Sequence, residues 1–284
     1  MTRTFLDLSG RLPTYEPVIR EIDRLTSSQG MAFFVVGALA RDIIMELGYG
    51  IKVKRATTDL DCGIRVESWE GFQHLRDALI ETNRFKQDPR QRQRVIFESG
   101  LKIDIVPFGP IDQDEGVIRW PPEEELEMST LGLEEACASA LNVRLADDLE
   151  VIVSSPSGLA LMKIFAWKER RHRYTKDALD LGFIMSNYIY TGNTERVYGE
   201  GGDANDLLED FDNDLSSARL LGRDVGRLLT PNSQIALMQI LEGQMGERNE
   251  YPLVETMIRE NYQGKFEVGL AALEMLKIGI LESI

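Results

Sequence analysis

The chain has 284 residues, 43% hydrophobic and 28% charged, proportions ordinary for a soluble globular protein and a length sufficient for two compact domains. Its net charge of −15 excludes a surface that binds nucleic acid everywhere, and no stretch reads as a membrane span or a signal peptide. Two cysteines and two histidines argue against a disulfide scaffold and against histidine-based zinc or triad chemistry, so a reducing cytoplasm is the expected compartment.

In chain order, helical spacing predicts a helix over 17–26. The apolar run Met31-Ala32-Phe33-Phe34-Val35-Val36 then predicts a buried strand closed by Gly37. Leu39, Ile43, Ile44 and Leu47 return to helical spacing over 39–47. Thr58-Asp59-Leu60-Asp61-Cys62-Gly63-Ile64-Arg65-Val66 alternates as a strand, with Leu60, Cys62, Ile64 and Val66 on one face and Asp59 and Asp61 on the other. A helix over 69–83 follows, carrying an exposed His74. Next comes a hairpin of 93–98 and 101–106 joined through Ser99-Gly100, its second strand ended by Pro107, Gly109 and Pro110. Trp120 to Glu125 reads as a turn with an acidic run, 133–140 as a short helix, and 149–153 as an added edge strand.

From residue 157 the pattern is helical, over 157–171, 176–190, 217–229, 233–242, 253–262 and 266–281. The Gly-rich, acidic stretch between 191 and 214 reads as a mobile loop. Its Asp203, Asn205, Asp210, Asp212 and Asp214 lack the mid-loop Gly and final Glu of a calcium-binding EF-hand. The expected architecture is α/β (α+β): a small mixed β-sheet domain with flanking helices over 1–155, followed by a helical domain over 156–284.

Two carboxylates at i and i+2, Asp59 and Asp61, with a third, Asp104, on the strand Leu101-Lys102-Ile103-Asp104-Ile105-Val106, form an oxygen-rich set suited to Mg²⁺. Hard cations of that kind serve phosphoryl or nucleotidyl transfer. A strand, the Gly37-Ala38 turn and a helix start together present backbone N–H groups to phosphates. Basic residues cluster at Arg84, Lys86, Arg90, Arg92 and Arg94, and again from Lys163 through Lys168, Arg170, Arg171, His172, Arg173 and Lys176. Either cluster reads as a groove for a phosphate backbone or as an ordinary solvated segment. Lys163 lies off the stripe Leu159, Met162, Phe165, Ala166, and is expected to reach a neighbouring site. Asp177 and Asp180 share a helix face at i and i+3.

The order of strand, Gly37-Ala38 turn, helix, Asp59-x-Asp61 strand and later Asp104 resembles the DNA polymerase β superfamily of nucleotidyltransferases. Gly37-Ala38-Leu39-Ala40-Arg41-Asp42 looks like the first motif of CCA-adding enzymes, although Ala38 stands where a Gly or Ser is usual. The later Lys163, basic turn and Lys176-Asp177-x-x-Asp180 are similar to the C-terminal motif of AbiEii-like toxin nucleotidyltransferases. The resemblance covers roughly residues 30 to 190. It implies a metal-dependent enzyme that moves a nucleoside monophosphate from a nucleoside triphosphate (NTP) to an acceptor hydroxyl. By that match two Mg²⁺ ions are held by Asp59, Asp61 and Asp104, with Asp104 also helping to deprotonate the acceptor. Gly37, Ala38, Arg41 and Lys163 would hold the nucleotide, and Asp177 would orient Lys163 or a substrate hydroxyl. The implied acceptor is the 3′ end of tRNA, in a toxin–antitoxin or abortive-infection setting with an antitoxin protein as partner. The other readings are transfer to a small molecule or protein hydroxyl, and an inert nucleotide- or RNA-binding module.

Overall fold

A computed structural model describes residues 5–55, 57–112, 116–122, 126–199, 212–243 and 251–284. The chain divides into two compact units, Met1–Ser155 and Pro156–Ile284.

In the first unit, strands β1 (Phe5–Asp7), β2 (Ala32–Val36), β3 (Asp59–Arg65), β4 (Phe85–Gln87), β5 (Arg94–Phe97) and β6 (Lys102–Phe108) join one mixed sheet. A two-stranded ribbon of β7 (Val117–Trp120) and β8 (Leu126–Ser129) stands apart, and β9 (Leu141–Ala146) and β10 (Leu149–Val153) return to the sheet. The eight-strand order is β1-β9-β10-β2-β3-β6-β5-β4, so the sheet is larger than expected. β10 is not an edge strand: it lies between β9 and β2, antiparallel to the first and parallel to the second. β2 runs between β10 and β3 with Phe33, Phe34, Val35 and Val36 all buried, as an interior strand covered on both faces must be. In β3 the expected alternation holds, since Leu60, Cys62 and Ile64 are fully buried while Asp59 and Asp61 are half-buried.

Pro107 does not end β6, which continues to Phe108. The Ile105 N–H donates toward β5, to Gln93 O, so two residues on the Pro107 nitrogen faces the same side, beyond the first residue of β5. The missing N–H therefore costs no ladder bond.

Helix α1 (Glu16–Ser28) and helix α3 (Trp69–Glu81) flank the sheet strands in sequence, and Ser68 caps α3 by accepting the Gly71 N–H at 3.2 Å. Helix α2 (Gly37–Arg41) starts at the turn glycine itself and widens into a π-helix over Asp42–Gly48, where an α-helix over 39–47 was expected. Ile43, Ile44 and Met45 are all fully buried. Three consecutive apolar side chains exceed the inward stripe of an ordinary helix, and the wider turn accommodates them. Trp120 is buried against Trp69 and Phe72, with ring centroids 5.2 and 5.7 Å away, which seats the β7–β8 ribbon. The acidic run Glu123 to Glu125 lies outside the described residues. Helix α4 (Leu133–Ala138) precedes β9.

The second unit is helical: α5 (Pro156–Arg170), α6 (Lys176–Asn187), α7 (Thr194–Tyr198), α8 (Asn213–Gly226), α9 (Pro231–Glu242), α10 (Pro252–Met257) and α11 (Phe266–Leu281). α7 occupies part of the expected mobile loop, and residues 200–211, with Asp203, Asn205 and Asp210, lie outside the described set. Asp212 instead caps α8, its carboxylate accepting the N–H groups of Asp214 and Leu215. Among the described residues no helix is long and apolar enough to cross a membrane.

Candidate active site

Parallel pairing of β3 with β6 sets Asp61 directly opposite Asp104, and antiparallel pairing of β5 with β6 sets Arg94 opposite Asp104. Residues opposite one another share a face, and so does Asp59 two positions before Asp61. One face of the sheet therefore carries Asp59, Asp61, Asp104 and Arg94, with Lys102 opposite Asp59. Adjacent strands lie about 4.8 Å apart, so this is one compact polar patch. Asp59, Asp61, Asp104 and Arg94 are half-buried and Lys102 is exposed.

The Gly37 turn backs this patch. Gly37 has φ +69°, the left-handed region, and an added Cβ would overlap Asp61 Oδ2. Glycine is thus required twice, for its dihedral and for the close approach of the Asp61 carboxylate. No side chain caps the start of α2. Gly37 and Ala38 are both half-buried there.

Arg41 is turned into the protein. It is only 5% exposed and donates from Nε and a terminal nitrogen to Asp42 Oδ1 at 2.9 and 2.6 Å, and from that terminal nitrogen to Arg55 O at 2.8 Å. Burial pushes the Asp42 carboxyl above its ordinary range, against the pull of Arg41 and of the Thr57 N–H. Tyr15, whose hydroxyl donates to Thr57 O at 3.0 Å, is also raised, first by burial and then by the charges of Asp42 and Asp59. Arg41 accordingly braces Arg55 directly and Thr57 through Asp42, ahead of β3.

Asp104 is engaged. Arg94 donates from Nε to one carboxylate oxygen and from a terminal nitrogen to the other, both at 2.7 Å. Among the described residues no group of three His, Cys, Asp or Glu side chains is arranged to hold a metal ion. The donor chemistry nonetheless fits a hard divalent cation: Asp59 and Asp61 are carboxylates side by side, and the third lies one strand away with its oxygens given to a guanidinium. Arg94 belongs to the basic cluster noted in the sequence, but its role as the partner of Asp104 was missed. The expected turn at Ser99-Gly100 would set Val95 opposite Asp104; the observed loop is one residue longer, pairing Phe97 with Leu101, and it is this register that sets Arg94 opposite Asp104.

Several of the other basic residues in the two clusters are also engaged within the fold. Arg84 pairs with Glu98 at 2.7 Å, and Arg92 donates to the carbonyls of Trp120 and Pro121. In the helical unit Arg170 forks onto Asp177 at 2.6 and 2.8 Å, and Arg171 lies over the Trp167 ring.

Lys163 is not off the core stripe of its helix. α5 is buried on nearly every side, and Lys163 is only 9% exposed, donating to Asp177 Oδ1 at 3.2 Å and Asp180 Oδ2 at 2.7 Å. A helix covered all round has no polar stripe to read, and its one buried cation must find counter-charges inside. Burial opposes ionisation of Asp177, yet the Arg170 and Lys163 cations outweigh it and leave the carboxyl below its ordinary value. The structure thus joins Lys163, Asp177, Asp180 and Arg170 within the second unit, and joins Gly37, Asp59, Asp61, Asp104 and Arg94 within the first.

No protein-family model matches the chain, and no curated protein matches it. Among solved structures it is similar to an antigenic nucleotidyltransferase-like protein from Paracoccidioides brasiliensis, at 14% identity and a TM-score of 0.42 over 81% of this chain and 94% of the other. It is also similar to ANT(2")-Ia in complex with adenylyl-2"-tobramycin, at 15% identity and TM-score 0.38 over 61% of this chain and 89% of that one. The Thermotoga maritima CCA-adding enzyme complexed with tRNA is a third, at 13% identity and TM-score 0.25, over 90% of this chain and 65% of the enzyme. Likenesses this distant transfer no activity or substrate to the chain.

Proposed function

We propose that the first unit is a nucleotidyltransferase, moving a nucleoside monophosphate from an NTP to an acceptor hydroxyl. The observation that carries this reading is the register of β3 and β6, which sets Asp61 opposite Asp104 with Asp59 on the same face and the Gly37 turn against Asp61. Asp59 and Asp61 would hold Mg²⁺, with Asp104 as a further ligand. When bound, the metal would neutralise the triphosphate and stabilise charge in an in-line displacement at the α-phosphorus. The Gly37 and Ala38 N–H groups receive phosphate oxygens at the start of α2. Asp104 would favour loss of the acceptor hydroxyl's proton as that oxygen attacks, and pyrophosphate would leave.

For the acceptor, the motif order favours the 3′ end of tRNA, and with it a toxin role checked by an antitoxin. A second reading is favoured by one observation: Arg84, Arg92, Arg94, Arg170 and Lys163 all bond within the fold, leaving fewer cations for an RNA backbone. That favours a small-molecule or protein hydroxyl.

Incubation with each α-labelled NTP, Mg²⁺ and total RNA separates the two. Label in tRNA, abolished by Asp59→Asn, is the result expected of the first reading, and label in a small product or in protein that of the second. No transfer with any NTP or metal leaves an inert binding module and overturns the enzymatic reading.

A further inference from the structure

We propose that Arg94 is an internal competitor for a cation at the Asp59, Asp61 and Asp104 face: Asp104 holds either the Arg94 guanidinium or a divalent ion. The inference rests on the metal-site reading above and goes beyond it.

Three observations carry it. The contact is fork to fork, with both Asp104 oxygens taken at 2.7 Å by two separate nitrogens of Arg94, the strongest geometry a guanidinium and a carboxylate adopt. Arg94 and Asp104 side chains are only 19% and 20% exposed, so water and salt weaken the pair less than a surface one. The backbone holds the partners together, since Arg94 and Asp104 face each other in the hairpin and Val95, next to Arg94, is buried beneath the sheet. The fork therefore leaves Asp104 by rotation of the Arg94 side chain alone, with no change of strand pairing.

Asp104, one of the three carboxylates on the face, already carries a fixed positive charge. On the metal-site reading a first ion is held by Asp59 and Asp61, whereas an ion that takes Asp104 must displace Arg94. Triphosphate oxygens present to a guanidinium the same planar pair of acceptors that a carboxylate does. An incoming nucleotide thus draws Arg94 away from Asp104 and opens the second cation position in one event. The chain would bind its second ion more tightly together with nucleotide than without it, a coupling written into the β5–β6 hairpin.

Mn²⁺ titration without nucleotide, followed by the electron paramagnetic resonance signal of free Mn²⁺, tests this on the full chain. The wild type is expected to bind one ion, with a second weaker by about ten-fold or more, in the ordinary range of coupling between sites. Arg94→Gln is expected to tighten the second ion by about that factor. Arg94→Lys keeps the charge without the fork, falls between them, and stands in if the glutamine variant folds poorly. Addition of Asp104→Asn to Arg94→Gln should remove the gain. Equal numbers and affinities in the wild type and both Arg94 variants overturn the inference alone. No Mn²⁺ bound by any of these proteins overturns the metal-site reading and this inference with it.

Discussion

At the scale of single residues, two arrangements do different work. Gly37 makes room for a carboxylate, and Lys163 neutralises two. Lys163, Asp177 and Asp180 sit where an isolated charge would be costly, with the more exposed Arg170 at their edge, so the three depend on one another. Because the folded Asp177 carboxyl lies below its unfolded value, its contribution is complete above the ordinary aspartate range. That contribution is lost as pH falls through the lowered value. Asp177→Asn should cost about 3 kcal/mol near neutral pH in urea unfolding. It should also flatten the fall in stability below about pH 4. A variant with the wild-type acid slope would show that Asp177 is not the linked group.

At the scale of elements, legibility followed alternation and length. β3 and β6 were readable because apolar residues occupy every second position, and the Gly37 turn because a buried run stops there. β1 and β4 are three residues each, too short for any period to register. β9 was missed although Val143 and Leu145 alternate inward, so that signal was present. Its recognition would have moved β10 from the edge to the interior, since β10 folds back on β9 through a short turn. The π-widening after Arg41 was not legible, because Leu39, Ile43, Ile44 and Leu47 fit an α-helix equally well. The misplacement of Lys163 has the same origin as the difficulty of any fully covered helix: no exposed face marks the phase.

Elements also meet where side chains are lacking. An added Cβ at Gly222 on α8 would strike Leu276 O, and one at Gly279 on α11 would strike Arg219 O, so the two helix backbones touch. Gly279→Val should therefore force the helices apart and destabilise the second unit by about 1–3 kcal/mol. Thermal melting by circular dichroism checks this, and an unchanged midpoint would refute backbone contact there.

At the scale of the whole molecule, the acidic excess of −15 and the placement of cations must be read together. Charge totals were legible, but not where the arginines point. Arg84, Arg92, Arg94 and Arg170 looked available in sequence and prove to tie the fold together. Sequence order brought out the three aspartates, while only strand register showed that Asp104 answers to a partner of its own.

One consequence concerns the thiols. Cys62 lies fully buried under the aspartate face, where burial first, and then Asp61 and Asp104, push its thiol well above the ordinary value, while Cys137 is partly open to solvent. A protonated, covered sulfur is a poor nucleophile, so alkylation with iodoacetamide should modify Cys137 readily and Cys62 only when the central strands part. The chain thus carries a built-in timer for rupture of its own sheet: mass spectrometry of the labelled peptides should show Cys62 lagging far behind Cys137 in buffer and catching up in denaturant. Matched rates in buffer would mean that strands β3 and β6 open far more often than their packing allows.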